Sequence, residues 1–257
     1  MRDIKKHIPN MLTCISLAFG FYASILGMLG DYQGAMLSIL IAAVFDFSDG
    51  LAARLLKAYS PMGKELDSLA DMVSFGVAPG MMLFCFIDEL LHSRLFWNES
   101  WVCKLFLLAA FVIPVFSGLR LAKFNIDTRQ TTSFLGLPVP AHAILWAALI
   151  VALSSATILK PIPVSFEVLP LSHLIAAIPA EALIITLSVA AVATSLLLVS
   201  EIPMFSLKIS SFSWKEAKLQ YILIISAIIL IVLFGVIGVS ATMLLYILLS
   251  IISRKSA

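Results

Sequence analysis

The stretch from Asp46 to Asp71, "DFSDGLAARLLKAYSPMGKELDSLAD", places four aspartates within 26 residues of an otherwise apolar chain. Of the 257 residues, 61% are hydrophobic and 12% are charged, whereas charged residues make up about 25% of a typical soluble domain. A chain of this composition is expected to lie in a lipid bilayer. The charges of this stretch therefore need a structural or functional explanation.

Outward from this stretch, eight apolar segments approach the length of about 20 residues that a membrane-spanning helix needs. The last two flank "GVIG" at residues 235–238, so a single broken segment is the alternative for them. The sequence predicts an all-α integral membrane protein with about eight transmembrane helices. The predicted spans are residues 11–30, 33–56, 64–88, 101–123, 138–159, 179–200, 217–235 and 238–253.

The distribution of Lys and Arg predicts the orientation of these spans. With the N-terminus in the cytoplasm, alternating spans place fourteen basic residues inside and only Arg94, Lys104 and Lys160 outside. Such an excess on the cytoplasmic side is the rule for membrane proteins. We therefore expect a multi-pass protein of the inner (cytoplasmic) membrane with both termini in the cytoplasm. The first apolar run is too long for a cleaved signal peptide and is expected to remain as the first span.

Composition also excludes some partners and sites. The net charge is only +2 and the basic residues are scattered, which argues against a nucleic-acid partner. Cys14, Cys85 and Cys103 lie in apolar runs without metal-ligand spacing, so neither a disulfide nor a zinc site is expected. His142 has no neighbouring partner in the sequence and is interpreted as a packing or headgroup residue, with a general base as the alternative. A homodimer is compatible with the sequence, which does not specify the oligomeric state.

The four aspartates are predicted to converge between two helices. Asp46 and Asp49 fall at the cytoplasmic end of the second span, and Asp67 and Asp71 open the third. Spacings of three and four place each pair on one helix face. Clustered like charges in a membrane are costly unless cations neutralise them. Carboxylates without His or Cys nearby favour Mg²⁺, Mn²⁺ or Ca²⁺ over zinc.

The residues between the aspartates narrow the expected chemistry. Gly50, Ala53 and Gly63 are small enough to let a ligand approach the backbone, and Arg54 is suited to hold a phosphate. The combination suggests a diphosphate substrate whose oxygens are bridged by metal ions. A metal-ion transporter is the alternative class, but it predicts carboxylates at several depths instead of at one end of two helices.

The pattern Asp46-x2-Asp49-Gly50-x2-Ala53-Arg54-x8-Gly63-x3-Asp67-x3-Asp71 resembles the signature of the CDP-alcohol phosphotransferase family of integral membrane enzymes. The resemblance implies that the four aspartates bind two divalent ions, Mg²⁺ or Mn²⁺ with Ca²⁺ as the alternative, and that Asp71 is also the catalytic base. It implies that the lipid donor is bound by Gly50, Ala53, Arg54, Ser60 and Gly63. The expected domain covers residues 1–200 with a six-helix core, and residues 201–257 extend it by two helices.

A second motif lies before the first span. "IPNMLT" at Ile8–Thr13 resembles the entry motif of the family, in which Asn10 and Thr13 would hydrogen-bond the nucleotide. A helix cap is the alternative interpretation of this motif.

Two later stretches bear on the acceptor alcohol. "SGLRLAKFN" at Ser117–Asn125 and "FLGLPVPA" at Phe134–Ala141 resemble the bacterial type II phosphatidylserine synthase branch of the family, although Lys123 replaces the usual Arg and Gly118 the usual Ala. This resemblance implies phosphatidyl transfer from CDP-diacylglycerol to L-serine among membrane lipids, with CMP released. Its expected serine-binding residues are Arg120, Lys123 and Asn125.

Other interpretations of the acceptor side remain open at this point. For Arg120 and Lys123, the alternative role is anchoring at the cytoplasmic surface. Another acceptor of the same family, such as glycerol 3-phosphate, inositol phosphate or an amino alcohol, is also compatible with the signature. A phosphorylated acceptor would need further cations, for which Arg129 is the additional candidate.

Overall fold

The computed structural model describes residues 2–94, 101–126, 134–157, 175, 177–205 and 217–254. Within these residues the chain forms ten α-helices, one π-helical turn at Met72–Val77 and one pair of two-residue strands. The predicted all-α class is therefore confirmed. The helices are α1 (Arg2–Met28), α2 (Tyr32–Leu55), α3 (Pro61–Asp71), α4 (Ala78–Arg94), α5 (Trp101–Ala109), α6 (Val112–Ile126), α7 (Val139–Thr157), α8 (Ala180–Val199), α9 (Lys218–Phe234) and α10 (Val236–Arg254).

Seven helical segments of the described residues are long and apolar enough to cross a membrane. They correspond to seven of the eight predicted spans, although residues 158–159 of the fifth lie outside the described residues. The seven segments are His7–Met28, Tyr32–Leu55, Pro61–His92, Leu105–Ile126, Val139–Thr157, Ala180–Val199 and Val236–Ser253.

The remaining predicted span is α9, an apolar helix of 17 residues. At a rise of about 1.5 Å per residue it is about 25 Å long, slightly short of the hydrocarbon thickness of about 30 Å. It is separated from α10 by Gly235, whose φ of 59° is a conformation that favours glycine. A Cβ on Gly238 would collide with the backbone of Leu230, so the two helices pack closely as a hairpin. The last two predicted spans are therefore two separate helices.

The fourth predicted span is interrupted at Ala110–Phe111, between α5 and α6. Pro114 has no N–H to donate to the Ala110 carbonyl, so the regular bonding pattern fails at this point. Bonds that reach back three residues instead of four replace it. They run from Ala110 N–H to Leu107 O at 3.2 Å and from Phe111 N–H to Leu108 O at 3.1 Å.

The third predicted span contains the π-helical turn directly after Asp71. This turn packs closely against α1 and α6 at two glycines. A Cβ on Gly20 would collide with Ser74, and a Cβ on Gly76 would lie 3.0 Å from the Ser117 Cβ. The turn thus holds the helix that carries Asp71 against both of its neighbours.

The centre of the bundle is α7, which contacts α2, α4, α6, α8, α10 and the π-helical turn. Twelve of its 19 residues are buried, including Trp146 and Ile150, as expected for a helix that is apolar on all sides. By contrast, Leu223 is the one buried residue of α9, so that helix lies at the periphery.

A short loop before α7 is fixed against the end of α8. Phe134–Leu135 pairs antiparallel with Pro203–Met204. Gly136 follows with a φ of +78° and donates its N–H to Ile202 O at 2.9 Å. Leu137 N–H then donates to Leu197 O at 3.0 Å, which leaves the Leu137 carbonyl directed towards α6.

Candidate active site

Three of the four aspartates form a compact group where the end of α2 meets the start of α3. One carboxylate oxygen from each of Asp46, Asp49 and Asp67 lies within 4.8 Å of the others. Asp49 is buried, and Asp46 and Asp67 are partly buried. The predicted convergence of the two pairs is therefore present for these three residues.

Asp71 lies beside this group, one helical turn beyond Asp67. Asp46 is within hydrogen-bonding reach of both Asp67 and Asp71. The Asp71 Oδ1 atom is buried and has no hydrogen-bond partner among the described residues. Four carboxylates so close together require cations, and a donor set made of oxygen atoms alone suits a hard divalent ion. The residues present thus fit a divalent metal site.

Thr13 fixes the orientation of Asp49. The Thr13 hydroxyl lies 2.5 Å from Asp49 Oδ2, to which it can donate, and Pro9 O is the second acceptor in reach at 3.0 Å. Thr13 is 3% exposed, so this bond is shielded from water. The sequence predicted Thr13 as a contact of the nucleotide, whereas in the structure its hydroxyl is engaged by the carboxylate.

A cleft of about 490 Å³ opens next to the carboxylates. Of the seven residues predicted to bind the lipid donor, all but Arg54 line it, as do Asp49 and Asp67. Arg54 lies alongside, since its Nε donates to Gly50 O at 3.1 Å and its Nη2 is 3.6 Å from the position of a Cβ on Gly50. The cleft is lined by Pro9, Asn10, Thr13, Asp49, Gly50, Ala53, Ala58, Tyr59, Ser60, Pro61, Gly63, Lys64 and Asp67.

Ser60 and Gly63 shape the floor of the cleft at the start of α3. Ser60 is the N-cap of the helix, because its Oγ accepts the Gly63 N–H at 3.0 Å. A Cβ on Gly63 would lie only 3.0 Å from both Asn10 Oδ1 and Ser60 Oγ. Glycine at this position therefore lets the Asn10 side chain approach the first turn of α3.

Arg120 occupies the interior between the carboxylates and the C-terminal hairpin. It is 8% exposed, and its Nε donates to the Leu137 carbonyl at 3.1 Å. The guanidinium carbon lies 5.2 Å from the centre of the Phe124 ring. It also interacts electrostatically with Asp71 and Tyr246. The site therefore contains a buried cation that interacts with the Asp71 carboxylate.

The other two residues predicted to bind serine are engaged by protein groups. Lys123 Nζ donates to Val199 O at 3.2 Å and lies 3.9 Å from Glu201 Oε1. Asn125 Nδ2 donates to Ser68 Oγ at 2.8 Å. Arg129 lies outside the described residues. Among the predicted cations within the described residues, Arg120 is the one whose charge interacts with Asp71.

The sequence of the chain also matches a profile of the CDP-alcohol phosphatidyltransferase family over residues 6–178. The chain belongs to this family. The match begins in α1, before Asn10 and Thr13, includes the whole stretch from Asp46 to Asp71 and extends beyond α7. The predicted family resemblance is therefore confirmed.

Proteins of similar sequence carry related names. A CDP-diacylglycerol–serine O-phosphatidyltransferase of Bacillus subtilis is 37% identical over 134 residues, covering 52% of this chain and 70% of that protein. One of Helicobacter pylori strain J99 is 38% identical over 145 residues, covering 53% of this chain and 54% of that protein. An archaetidylserine synthase of Methanothermobacter thermautotrophicus is 29% identical over 139 residues, covering 53% of this chain and 54% of that protein. The chain thus aligns with about half of the length of the latter two relatives.

Some residues of this family site were not predicted from the sequence. Tyr59 and Lys64 line the cleft, and Ser68 contacts Asn125 from between Asp67 and Asp71. Both Tyr59 and Lys64 lie close to the signature in the sequence, but the sequence did not show that their side chains line the cleft. For the pairing of Ser68 with Asn125 there was no local signal, because the two residues are 57 positions apart.

His142 is not part of the site. It is 0% exposed, and its Nε2 is 3.1 Å from the donating Trp146 Nε1 and 3.0 Å from Thr194 Oγ1. These contacts join α7 to α8 inside the bundle. The interpretation of His142 as a packing residue is confirmed.

Proposed function

We propose that this protein transfers the phosphatidyl group of CDP-diacylglycerol to the hydroxyl of L-serine, giving phosphatidylserine and CMP. The observation that carries the proposal is the cleft, in which Asp49 and Asp67 of the aspartate cluster lie beside other residues of the family signature. The choice of serine is supported by the names of the similar proteins. The buried Arg120 beside Asp71 supports an acceptor that bears a negative charge.

The donor half of the reaction belongs to the cleft. Asn10 and Gly63 would bound the nucleotide, and Arg54 would approach the diphosphate from the cleft edge, where its side chain is anchored on Gly50. Asp46, Asp49 and Asp67, with Asp71, would hold two divalent ions, Mg²⁺ or Mn²⁺ with Ca²⁺ as the alternative. When bound, these ions would supply Lewis-acid stabilisation of the charge on the diphosphate.

Asp71 is the residue best suited to take the proton of the acceptor. Its Oδ1 is buried and has no partner among the described residues, so this oxygen remains available for a substrate hydroxyl. The serine oxygen would form a bond to the phosphorus that carries diacylglycerol. The bond from that phosphorus to the CMP oxygen would break, and the hydroxyl proton would pass to Asp71. Burial of the site limits competing attack by water.

Arg120 would bind the serine carboxylate. Its guanidinium is buried, which strengthens the attraction to an anion, and its Nε is fixed by Leu137 O at 3.1 Å. Lys123 is tied to Val199 and Glu201 and therefore contributes through the local charge. An acceptor with a phosphate would carry more charge than one buried guanidinium neutralises.

The membrane context follows the same proposal. The basic residues at the cleft end, such as Lys57 and Lys64, support a site that faces the cytoplasm in the inner membrane, with both termini on that side. Residues 201–257 would extend the domain of residues 1–200, since Ser240 Oγ donates to Leu145 O at 3.0 Å across α10 and α7. A homodimer remains a prediction, which light scattering of the protein in detergent tests.

A panel of acceptors tests the proposed function. The purified protein is incubated with CDP-diacylglycerol, Mg²⁺ or Mn²⁺, and either serine, glycerol 3-phosphate, inositol phosphate or ethanolamine. We expect CMP and labelled phosphatidylserine with serine alone. Product with another acceptor but not with serine would refute the branch, and no CMP release with any alcohol would refute the transfer reaction itself. Metal transport into vesicles without CMP release would support the transporter alternative.

A further inference from the structure

Three hydrogen bonds form a closed ring between the start of α3 and the end of α6. Asn125 Nδ2 donates to Ser68 Oγ at 2.8 Å, and Ser68 Oγ donates to Lys64 O at 3.2 Å. Lys64 Nζ donates to Asn125 O at 3.0 Å and closes the ring. The bond between Ser68 and Asn125 is partly buried, whereas the lysine is exposed. The exposed contact is expected to contribute little, so the ring depends mainly on Ser68 and Asn125.

The ring joins the two helices that carry opposite halves of the site. Ser68 directly follows Asp67 and precedes Asp71 by three residues. It therefore lies within one helical turn of both aspartates on α3. Asn125 lies five residues after Arg120 on α6, about 7.5 Å along the helix axis. The hydrogen bond between Ser68 and Asn125 therefore sets the distance between α3, which carries the aspartates, and α6, which carries the buried Arg120.

The middle of α6 is already fixed against the π-helical turn that follows α3. Ser117 packs against Gly76 in the π-helical turn, and Met72 Sδ lies 3.4 Å from the position of a Cβ on Gly118. Arg120 lies between this packed region and the ring. Without the ring, the last turns of α6 would be joined to α3 only through the π-helical turn. Arg120 and Lys123 would keep their bonds to Leu137 O and Val199 O, but those bonds do not set the distance of Arg120 from Asp71.

We propose that Ser68 and Asn125 are positioning residues that hold Arg120 in register with Asp71. The inference rests on the proposed function, in which Arg120 binds the serine carboxylate and Asp71 takes the hydroxyl proton. Serine spans these two groups, so their separation decides whether the hydroxyl reaches the base. In this role Asn125 acts through Ser68 and does not contact serine, which differs from its predicted role as a serine ligand.

The first test is the kinetic effect of Ser68→Ala. We expect KM for serine to rise about 3- to 10-fold, the size of one lost hydrogen bond, while KM for CDP-diacylglycerol stays within about twofold. We also expect a larger share of CMP to come from hydrolysis of the donor. Ser68→Thr keeps the hydroxyl and should restore both values. Ser155→Ala is the matched control, because among the described residues Ser155 Oγ bonds within its own helix α7, to Val151 O at 2.7 Å.

A double-mutant cycle separates positioning from direct binding. If the two side chains act through one bond, Ser68→Ala with Asn125→Ala should resemble either single variant in KM for serine. If Asn125 binds serine itself, Asn125→Ala should be far more damaging than Ser68→Ala, and the two effects should add. The second result would overturn the proposal.

Hydrogen exchange tests the ring without any substrate. Backbone amides of residues 118–126 should exchange faster in Ser68→Ala than in the wild type or in Ser155→Ala. Unchanged exchange together with an unchanged KM for serine would refute the positioning role. If the wild-type protein makes no phosphatidylserine, the proposed function fails, and the exchange measurement still decides on the ring.

Discussion

At the scale of single residues, Asp49 and Asp71 belong to the same cluster of carboxylates but differ in their hydrogen-bond partners. Asp49 is bonded to Thr13, whereas Asp71 keeps one buried oxygen without a partner among the described residues. A buried carboxylate oxygen without a partner is costly in a folded protein unless a ligand satisfies it. This difference supports metal binding alone for Asp49, and proton transfer in addition to metal binding for Asp71.

The role of Asp71 predicts the effect of Asp71→Asn. The amide cannot accept the proton of the acceptor hydroxyl, so CMP release should fall by about 10²- to 10⁴-fold, the usual contribution of a general base. Binding of a short-chain CDP-diacylglycerol, measured by calorimetry, should remain detectable because the cleft residues are unchanged. Turnover close to that of the wild type would remove Asp71 as the base.

The bond between Thr13 and Asp49 predicts a metal phenotype for Thr13→Val. Loss of the hydroxyl leaves the buried carboxylate free to rotate, and such changes next to metal ligands typically weaken metal binding about 10- to 100-fold. The Mg²⁺ concentration for half-maximal activity should rise accordingly, while Thr13→Ser should behave like the wild type. A higher KM for CDP-diacylglycerol with unchanged Mg²⁺ dependence would instead support the predicted contact with the nucleotide.

At the scale of elements, α1 and α2 end in the same way but with different residues. After α1, Gly30 has a φ of 75° and donates to Gly27 O, while Asp31 N–H donates to Leu26 O. After α2, Lys57 has a φ of 51°, and the matching bonds run from Lys57 to Arg54 O and from Ala58 to Ala53 O. Both are Schellman motifs, which favour glycine at the left-handed position.

The backbone of Lys57 predicts that Lys57→Gly stabilises the protein. A residue with a Cβ costs about 1–2 kcal/mol in the left-handed region, and part of the gain is offset by the greater freedom of glycine in the unfolded chain. We expect a net gain of about 0.5–1 kcal/mol and a melting temperature in detergent about 2 °C higher. Lys57→Ala keeps the Cβ and should give no gain. Equal effects of the two substitutions would show that the lysine side chain, and not the backbone, decides.

Two predicted helices differ from their expected form. In one the cause is a local sequence signal, and in the other it is packing. The break before α6 follows from Pro114, a local signal that a prediction based on the length of the apolar run does not include. The π-helical turn after Asp71 has no such signal. It accompanies the close contacts of Gly20 with Ser74 and of Gly76 with Ser117, which depend on distant parts of the chain.

At the scale of the whole molecule, the functional groups lie at one end of a bundle packed around α7. The end of α2, the start of α3, the end of α6 and the end of α8 are joined there by side-chain bonds such as Lys123 to Val199 O. Lys57, Lys64 and Lys123, three of the basic residues predicted to lie in the cytoplasm, belong to the same end. In the proposed orientation this end faces the cytoplasm, so both proposed substrates would meet on that side of the membrane.

This arrangement predicts the labelling of two engineered cysteines in sealed right-side-out membrane vesicles. In a background without Cys14, Cys85 and Cys103, Tyr59→Cys should react with an impermeant maleimide only after permeabilisation. Leu29→Cys lies at the opposite end of α2 and should react at once. Both wild-type residues are strongly exposed, at 74% and 73%, so access from the solvent decides the result. The reverse pattern would invert the proposed topology.

The sequence by itself determined the apolar segments, the cluster of four aspartates and most of the cleft, because helix length and residue spacing are local properties of the chain. Asp46, Asp49 and Asp67 meet as their spacing predicts. Only the tertiary structure decided how the polar groups are paired: Thr13 with Asp49, Arg120 with Leu137, and Asn125 with Ser68. Each of these bonds joins residues of different elements, and the periodicity of one helix does not specify which groups of another helix or loop it will face.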